Sequence, residues 1–306
     1  MTAALEVRGL VAEFAGRGDA VRALHGISFD VGETEIVGVV GESGSGKSTV
    51  VRSITRLLVP PGRVAEGSVV FGGRPLLELS ERRMREIRGK EIGFVAQNPF
   101  SALNPVLRLE RQFANIAKAH GVRVDAASRD RALRLLEATG VNDPERVIRG
   151  YAHELSGGMA QRVVIAMALY LNPRLVIADE PTTALDLTVQ RQVLDTLRRL
   201  TSGSGRSMLI VTHDLGVVAE YCDRVLVMYQ GKLVEEGPVS KVFTAPGHPY
   251  TASLLSSVTG PIEPPGTDRR ERPGERLAWP LRGGPSAEAA SRTRQAEAAL
   301  SETGGA

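Results

Sequence analysis

Residues 41–49 have the sequence GESGSGKST, whose residue types and spacing suit phosphate binding. Its glycines accept unusual backbone dihedrals, so the main-chain N–H groups of residues 43–48 can surround a phosphate. Lys47 adds a positive charge for β- and γ-phosphates, and the Ser48 hydroxyl is placed to ligate Mg²⁺. We therefore predict a nucleotide-binding phosphate loop formed by Gly41, Ser43, Gly44, Ser45, Gly46, Lys47, Ser48 and Thr49.

Two acidic residues, Asp179 and Glu180, follow an apolar run in the stretch RLVIADEP. Ligands bind at the carboxyl ends of strands in open α/β sheets, so both side chains are candidates for the same site. Asp179 would hold Mg²⁺ directly or through water, and Glu180 would polarise the water that attacks a γ-phosphate. An exposed acidic strand end is the alternative, and the phosphate loop elsewhere in the chain disfavours it.

Three further side chains are weaker candidates. His213 lies in the stretch VTHDL at the end of an apolar strand, where an imidazole could contact a γ-phosphate and hold Glu180 in line. A lone histidine is more often structural, but the shared sheet edge favours a role in chemistry. Gln97, in FVAQNPF, could reach Mg²⁺ or the attacking water. Phe14 could stack on adenine, although a core or surface phenylalanine would look the same.

The stretch ELSGGMAQR, residues 154–162, is a second possible anion-binding helix start. Ser156 can cap the helix, and Gly157 and Gly158 expose backbone N–H groups to an anion. The following residues, 163–169, are apolar nearly all round, which predicts a buried helix. A plain capped helix start remains the alternative for this stretch alone.

The phosphate loop needs a strand before it and a helix behind it, and the sequence supplies both. Residues 36–40 are continuously apolar around Gly38, as expected of a strand buried on both faces. Strand, loop and helix in this order are the context that a phosphate loop requires. Apolar residues behind the loop recur at helical spacing until Pro60-Pro61, at Val50, Val51, Ile54, Leu57 and Leu58.

The remaining pattern predicts an α/β protein with a helical insertion. Residues 5–10 and 21–31 are β-like, and residues 100–150 are mainly helical. One helical face there combines Ala132, Leu135, Leu136 and Thr139. The α/β core then resumes with a strand at 174–180, a helix at 187–200, a strand at 208–212 and a hairpin that turns at Gln230-Gly231.

Composition excludes several classes of protein. The 306 residues are 42% hydrophobic, 24% charged and only 4% aromatic, which argues against a sheet-stacked RNA binder. The net charge of +3 is too weak to imply nucleic acid. The single cysteine, Cys222, excludes an internal disulfide and a cysteine-based metal site, so we expect a buried thiol.

Neither end of the chain suggests a membrane or secretion signal. The start, MTAALEVRGL, is strand-like, and no run approaches eighteen apolar residues, which favours a cytoplasmic protein. Residues 261–306 are rich in Pro, Gly, Ala, Arg and Glu and lack apolar periodicity. We predict a disordered tail there, with Trp279 as a lone aromatic residue.

In this order, the motifs resemble the ATP-binding subunits of ABC transporters. The resemblance covers about residues 5–240 and rests on GESGSGKST, Gln97, LSGGM, LVIADE, TALD and His213. It implies a P-loop NTPase (RecA-like) core with an N-terminal antiparallel β subdomain and an inserted helical subdomain. The implied nucleotide-binding domain is 1–260, with the helical insertion at about 100–165 and an extension at about 240–260.

The resemblance also implies ATP and Mg²⁺ as ligands and a head-to-tail dimer with two ATP molecules at its interface. Each ATP contacts the phosphate loop of one subunit and the Ser-Gly-Gly segment of the other. Phe14 would occupy the adenine-stacking position. The implied metal ligands are Ser48, Gln97 and Asp179, and the implied catalytic residues are Lys47, Glu180 and His213. The residues implied at the partner's ATP are Ser156, Gly157, Gly158, Met159 and Asp186.

A narrower resemblance is to the oligopeptide, dipeptide and nickel importer ATPases. It rests on QNPFSALNP, ELSGGM, DLTVQRQVL and GHPYTASLL, of which GHPYT is characteristic of the branch. Many members carry a cysteine-rich segment after HPYT that binds an iron–sulfur cluster. This chain has no cysteine there, so we predict no cluster. Met159 and Ala160 also depart from the residues common in relatives, Gln and Arg.

The resemblance implies an ATPase that powers uptake of peptides or a related solute. The implied partners are two transmembrane permease subunits, a second ATPase that is a relative of this chain, and indirectly an extracellular solute-binding protein. The implied location is peripheral, on the cytoplasmic face of the membrane. An exporter ATPase is one alternative, although LNP and GHPYT are not expected together there. A soluble ABC protein is another, but such proteins tend to carry two modules or a long coiled coil.

Overall fold

The architecture is that of a computed structural model, which describes residues 3–16, 19–183, 185–201 and 205–259. The predicted disordered tail, residues 261–306 with Trp279, lies outside the described residues. The strands of the described part are β1 Ala3–Phe14, β2 Val21–Gly32, β3 Ile36–Val40, β4 Gly62–Phe71, β5 Arg74–Pro75, β6 Ile92–Val95, β7 Leu175–Asp179, β8 Ser207–Val211, β9 Arg224–Tyr229 and β10 Lys232–Pro238.

Helices surround these strands, and five of them, α3 to α7, separate β6 from β7 along the chain. Short 3₁₀ turns add Leu76–Glu78 and Ala152–Glu154. The helices are α1 Lys47–Ile54, α2 Glu81–Ile87, α3 Pro99–Ala102, α4 Leu109–Ala119, α5 Ala126–Ala138, α6 Pro144–Arg149, α7 Gly157–Leu169, α8 Leu187–Thr201, α9 Leu215–Tyr221, α10 Val239–Thr244 and α11 Pro249–Thr259.

The strands form two sheets. The first is antiparallel, with the order β2-β1-β4-β5. The second has the order β10-β9-β3-β8-β7-β6, and its strands are parallel except for β10. An α/β core with an antiparallel sheet formed by N-terminal strands and a helical insertion is the predicted fold class, which is confirmed. The predicted domain boundaries stay predictions.

The register of the parallel sheet brings three loops to one edge. Val39 of β3 and Asp179 of β7 both pair with Val211 of β8, so these three strands end level with one another. The phosphate loop follows β3, Glu180 follows β7 and His213 comes shortly after β8. The sheet therefore gathers candidate residues that lie more than a hundred positions apart in the sequence.

Apolar residues cover both faces of the parallel sheet. Val176 and Ile210 belong to a core cluster that includes the inserted helices, whereas Ile177 and Leu209 belong to a cluster shared with the antiparallel sheet. Side chains of consecutive strand residues point to opposite faces, so both faces of β7 and β8 need apolar residues, which residues 175–178 and 208–211 supply. All five residues of β3 are buried as well, which confirms the predicted doubly buried strand.

Helix α1 is shorter than its apolar pattern predicts. The prediction that Leu57 and Leu58 continue the helix to the prolines is wrong, because α1 ends at Ile54 and Leu57 is 42% exposed. Arg56 turns the chain with a left-handed φ of 54°, and the Leu57 N–H donates to the Arg52 carbonyl at 2.7 Å. This is the Schellman helix end, in which glycine is the usual left-handed residue. The Arg56 guanidinium donates to the Leu79 carbonyl at 2.5 Å, which anchors a residue that lacks glycine's freedom.

Gly38 of β3 allows close contact with the single cysteine. A Cβ atom at position 38 would lie 2.9 Å from Cys222 Sγ and 3.0 Å from a Val218 methyl group. Any side chain at position 38 would therefore force α9 or Cys222 to move. Burial raises the pKa of the Cys222 thiol, so the thiol stays protonated and is poorly reactive. Cys222 is partly buried, and its sulfur packs against Gly38, so the expectation of a buried thiol is met only in part.

Candidate functional site

The phosphate loop connects β3 to α1 through backbone conformations that require glycine. Gly41 has φ 153° and Gly46 has φ 100°, both in the region that favours glycine. A Cβ on Gly41 would lie 2.2 Å from the Met228 carbonyl oxygen, and one on Gly46 would lie 2.9 Å from Leu24. The loop is therefore pressed against β9 and β2, which fixes its path around the space above α1.

A cleft of about 600 Å³ opens over the loop. Eight of its lining residues are among the predicted site residues, namely Ser43, Gly44, Gly46, Lys47, Ser48, Thr49, Gln97 and Glu180. The others were not predicted and come from β2 and the β9–β10 turn, namely Val21, Arg22, Ala23, His25, Gln230 and Gly231. The structure thus joins the phosphate loop to the residues after β6 and β7, and the antiparallel sheet supplies one wall.

Lys47 is held in position by the loop itself. Its ammonium group donates to the Gly41 carbonyl at 2.8 Å and to the Glu42 carbonyl at 2.9 Å. Burial lowers the pKa of Lys47, while the nearby Glu180 and Asp179 carboxylates oppose that shift. A partly desolvated cation at the base of a glycine cradle is well placed to exchange its carbonyl partners for phosphate oxygens.

Ser48 and Asp179 meet at the edge of the parallel sheet. The Ser48 hydroxyl donates to Asp179 Oδ1 at 3.0 Å, and Asp179 is only 3% exposed. Burial raises the pKa of Asp179, and the Ser48 hydrogen bond opposes that shift. A hydroxyl and a carboxylate side by side are the oxygen ligands that Mg²⁺ takes in nucleotide sites. The donor set therefore fits Mg²⁺, and the buried Ser45 hydroxyl, which lacks a hydrogen-bond partner among the described residues, leaves the loop a spare donor for phosphate.

Glu180 is the centre of a second cluster. Its Oε2 accepts hydrogen bonds from the Gln97 amide and the Thr183 hydroxyl, each at 2.9 Å. Its Oε1 lies 3.5 Å from His213 Nδ1. Glu180 also has a left-handed φ of 46°, which is unusual for a residue with a side chain and is typical of functional sites. The structure therefore brings Gln97, Glu180 and His213 together as the sequence predicted, and adds Thr183, whose only sequence signal is its place three residues after Glu180.

The segment 154–162 lies at the start of α7, away from the cleft. Ser156 is exposed, and its hydroxyl oxygen caps α7 by accepting from the Met159 N–H at 3.3 Å. A Cβ on Gly158 would lie 2.7 Å from Val189, so this helix start packs against α8. Asp186 Oδ1 accepts from the Val189 N–H at 3.0 Å, at the start of α8. None of these residues lines the cleft over the chain's own phosphate loop.

Phe14 also lies outside the cleft lining. A Cβ on Gly62 would be 2.6 Å from Phe14 Cε1, so the ring lies against β4. Phe14 pairs with Val21 across β1 and β2, and Val21 lines the cleft with 66% of its surface exposed. Val21 is therefore an exposed apolar side chain that the structure offers in the cleft. Adenine stacking by Phe14 stays a prediction.

Comparisons with known proteins show the family of the chain. The sequence profile of the family described as ABC transporter matches residues 24–183. The chain belongs to the ABC transporter family. A probable peptide ABC transporter ATP-binding protein of Sinorhizobium fredii is 49% identical over 257 residues, which cover 83% of this chain and 76% of that protein. The oligopeptide transport ATP-binding protein OppD of Bacillus subtilis is 46% identical, over 84% of this chain and 72% of its own.

Solved ABC cassettes share the fold. The dimeric ATP-binding cassette MJ0796, in a post-hydrolysis state bound to ADP and Pi, superposes with a TM-score of 0.70 at 28% identity. The match covers 77% of this chain and 98% of that chain. In this chain the phosphate loop adjoins the Asp179 carboxylate through Ser48 and shares its cleft with Glu180. None of the helices within the described ranges is long and apolar enough to cross a membrane.

Asp179→Asn is expected to stabilise the nucleotide-free chain. Because burial raises the pKa of Asp179, the folded chain binds its proton more tightly than the unfolded chain does, so ionisation lowers stability above that pKa. The asparagine amide is neutral, and its oxygen can still accept from Ser48. We expect a gain in the free energy of unfolding on the order of 1 kcal/mol at neutral pH, which disappears as the pH falls through the raised pKa.

Denaturant unfolding without nucleotide or Mg²⁺, repeated across a pH series, measures this difference. The same variant should lose Mg²⁺-dependent ATP hydrolysis, because the carboxylate is replaced by a weaker ligand. A variant less stable than the wild-type chain at neutral pH would contradict the assignment of Asp179 as a carboxylate held at the expense of stability.

Proposed function

We propose that the chain hydrolyses ATP to power the uptake of peptides through an ABC importer. The observation that carries this proposal is the contact of Glu180 with Gln97, Thr183 and His213 beside the Ser48–Asp179 pair. That arrangement supplies a carboxylate for water and oxygen ligands for a metal next to a phosphate cradle. The names of the relatives, which are peptide and oligopeptide transport proteins, supply the class of solute and favour an importer over an exporter or a soluble ABC protein.

The phosphate loop and the residues around Glu180 have distinct parts in the proposed hydrolysis. Backbone N–H groups of the phosphate loop and the Lys47 ammonium group bind the β- and γ-phosphates. Glu180 accepts a hydrogen bond from the attacking water and takes up its proton, while His213, Gln97 and Thr183 fix the direction of the carboxylate. Mg²⁺, held by Ser48 and Asp179 with Gln97 nearby, would neutralise charge on the phosphate oxygens.

We further propose that residues 156–159 and Asp186 serve the ATP of a partner ATPase. Ser156 and Gly157 are exposed at a helix N-terminus, where backbone N–H groups favour an anion, yet they do not line their own cleft. The cassette MJ0796 is dimeric with ADP and Pi bound, which supports a nucleotide site completed by a second subunit. A head-to-tail dimer places each exposed Ser156 against the partner's phosphate loop.

The proposed assembly contains two permease subunits, this chain and a second, related ATPase, and it receives solute from an extracellular binding protein. The chain would attach to the permeases on the cytoplasmic face of the membrane, and nucleic acid is not among its proposed partners. We also keep the prediction that it holds no iron–sulfur cluster, since its sequence has no cysteine after HPYT.

Reconstitution tests the proposed function. The chain is co-purified with its permease partners and incorporated into vesicles with the solute-binding protein. We expect ATP-dependent accumulation of a labelled peptide library, and no accumulation in vesicles that carry Lys47→Ala. ATP hydrolysis that proceeds without uptake of any peptide would overturn the proposed solute class while leaving the ATPase assignment intact.

Removal of residues 261–306 is expected to leave nucleotide binding intact. Those residues of the cleft lining that belong to the described ranges all lie between positions 21 and 231, so the truncation removes none of them. ATP affinity of the truncated chain, measured by equilibrium titration, should stay within about twofold of the full-length value. A large loss of affinity would show that the predicted tail takes part in the site.

A further inference from the structure

The GHPYT segment, residues 247–251, folds back onto the phosphate loop. The backbone N–H of Glu42, the second residue of the loop, donates to the Tyr250 hydroxyl oxygen at 3.1 Å. These residues are 208 positions apart in the sequence. The contact therefore joins the ATP cleft to a segment that lies beyond the last strand of the sheet.

Several contacts hold Tyr250 in this position. Its ring lies against that of Tyr229, at the end of β9, with centroids 4.2 Å apart. The Tyr250 N–H donates to His248 Nδ1 at 3.1 Å. The Glu235 carboxylate of β10 accepts from the Gly247 N–H at 2.7 Å and from the His248 N–H at 3.0 Å. The hydroxyl is thus presented to the loop by a built surface and not by a free side chain.

The Tyr250 contact constrains the peptide unit between Gly41 and Glu42. The carbonyl of that unit, on Gly41, accepts from the Lys47 ammonium group at 2.8 Å, and its N–H, on Glu42, donates to Tyr250. The two groups of a trans peptide point in opposite directions, so Lys47 and Tyr250 clamp one peptide plane from both sides. Gly41 has no side chain to restrict rotation of this plane, so the clamp sets its orientation.

We propose that Tyr250 is a positioning residue for the phosphate loop. Its hydroxyl fixes the Gly41–Glu42 peptide plane and thereby the Lys47 ammonium group before ATP arrives. The GHPYT segment then belongs to the ATP site although it touches no phosphate. This inference rests on the proposed binding of ATP by the phosphate loop. It makes ATP affinity depend on α11, which contains Tyr250, as well as on the loop itself.

Tyr250→Phe tests the inference, because it removes the hydroxyl and keeps the ring against Tyr229. Loss of one hydrogen bond that organises the loop should weaken ATP binding by the full-length chain about three- to tenfold, measured by equilibrium titration in EDTA to prevent turnover. In the assembled complex KM for ATP should rise by a similar factor, while kcat stays within about twofold. Rotation of the peptide plane affects binding and leaves the Glu180 cluster unchanged.

Tyr221→Phe is the matched control. The Tyr221 hydroxyl donates to Asp195 Oδ1 at 2.9 Å, between α9 and α8 and outside the cleft lining. Its removal also deletes one phenol hydrogen bond, so it lowers the unfolding temperature without changing ATP affinity or KM. A Tyr250→Phe chain that binds ATP as tightly as wild type, or that loses only thermal stability as this control does, would overturn the inference.

Glu235→Gln tests the route from the segment to the loop. An amide cannot accept from both the Gly247 and the His248 N–H as the carboxylate does, so the segment loosens and ATP affinity falls. If Tyr250 carries the effect, the double variant Glu235→Gln, Tyr250→Phe binds ATP no more weakly than the weaker single variant. Additive losses would overturn the assignment to this one contact. If the reconstituted wild-type complex hydrolyses ATP but takes up no peptide, the result contradicts the proposed solute class alone. It does not contradict the role of Tyr250.

Discussion

Replacing Glu180 with Gln is expected to reduce steady-state ATP hydrolysis by the assembled complex on the order of 10²-fold or more. The amide keeps the size of the side chain and its hydrogen bond to Gln97 or Thr183, but it cannot take up a proton from water. Residue 180 has a left-handed backbone conformation, which glutamine tolerates no worse than glutamate does. The substitution therefore changes the chemistry with little change in the fold. ATP binding should be retained, because Lys47 and the loop are untouched.

Phosphate release from the complex measures this prediction, with ATP titration of the same variant as the binding measurement. Glu137→Gln is a suitable control, because Glu137 is exposed on α5 and the same charge is lost there. Turnover within about twofold of wild type in Glu180→Gln would show that Glu180 is not the proton acceptor. A parallel loss of ATP binding would show instead that the variant disturbs the cradle.

Replacing Ser156 with Arg is expected to block hydrolysis at the partner's ATP while this chain's own loop still binds ATP. The arginine introduces bulk where the exposed helix start would meet the partner's phosphates, so the dimer cannot close. Its own cleft contains no residue of the segment 154–162, so its ATP affinity should change little. Site-resolved hydrolysis, in complexes where the phosphate-loop lysine is intact in only one of the two ATPases, separates the two sites.

Loss of the helix cap is a separate effect of Ser156→Arg and has its own control. Ser80 caps α2 in the same way, accepting from the Arg83 N–H at 3.4 Å. Ser80→Arg should therefore cost a similar amount of stability, about 1 kcal/mol, without blocking hydrolysis at either site. Equal inhibition by both variants would mean that helix stability, and not the partner's ATP, explains the result for Ser156.

Residues that carry their own local pattern were predictable from the sequence. The phosphate loop, the strand before it and the acidic strand end each combine a residue type with a short periodic context. Gln97 and His213 were predictable only because parallel strands end at one edge of the sheet, which a strand pattern already implies. Thr183 was missed, because a threonine near an acidic residue has no distinguishing pattern until the chain is folded.

Features that depend on distant contacts were not predictable. The end of α1 at Ile54 depends on Arg56, whose guanidinium reaches the Leu79 carbonyl across 23 positions. The wall formed by Val21 and Gln230 depends on how the antiparallel sheet and the β9–β10 turn pack around the loop. The Tyr250–Glu42 contact spans most of the domain. In each case the residue that makes the contact lies on another strand, helix or loop. The local spacing of residues in the sequence therefore cannot predict the contact.

The protonated thiol of Cys222 has a practical consequence for testing the dimer. Thiol reagents attack thiolates, and burial against Gly38 keeps this single native cysteine in the unreactive form. Engineered cysteines can therefore be labelled or cross-linked on the natural sequence, without first removing a background thiol. A cysteine in place of Ser156 in this chain and a second cysteine in the phosphate loop of the partner ATPase could be cross-linked across the proposed interface, and the linked product would be visible on a gel.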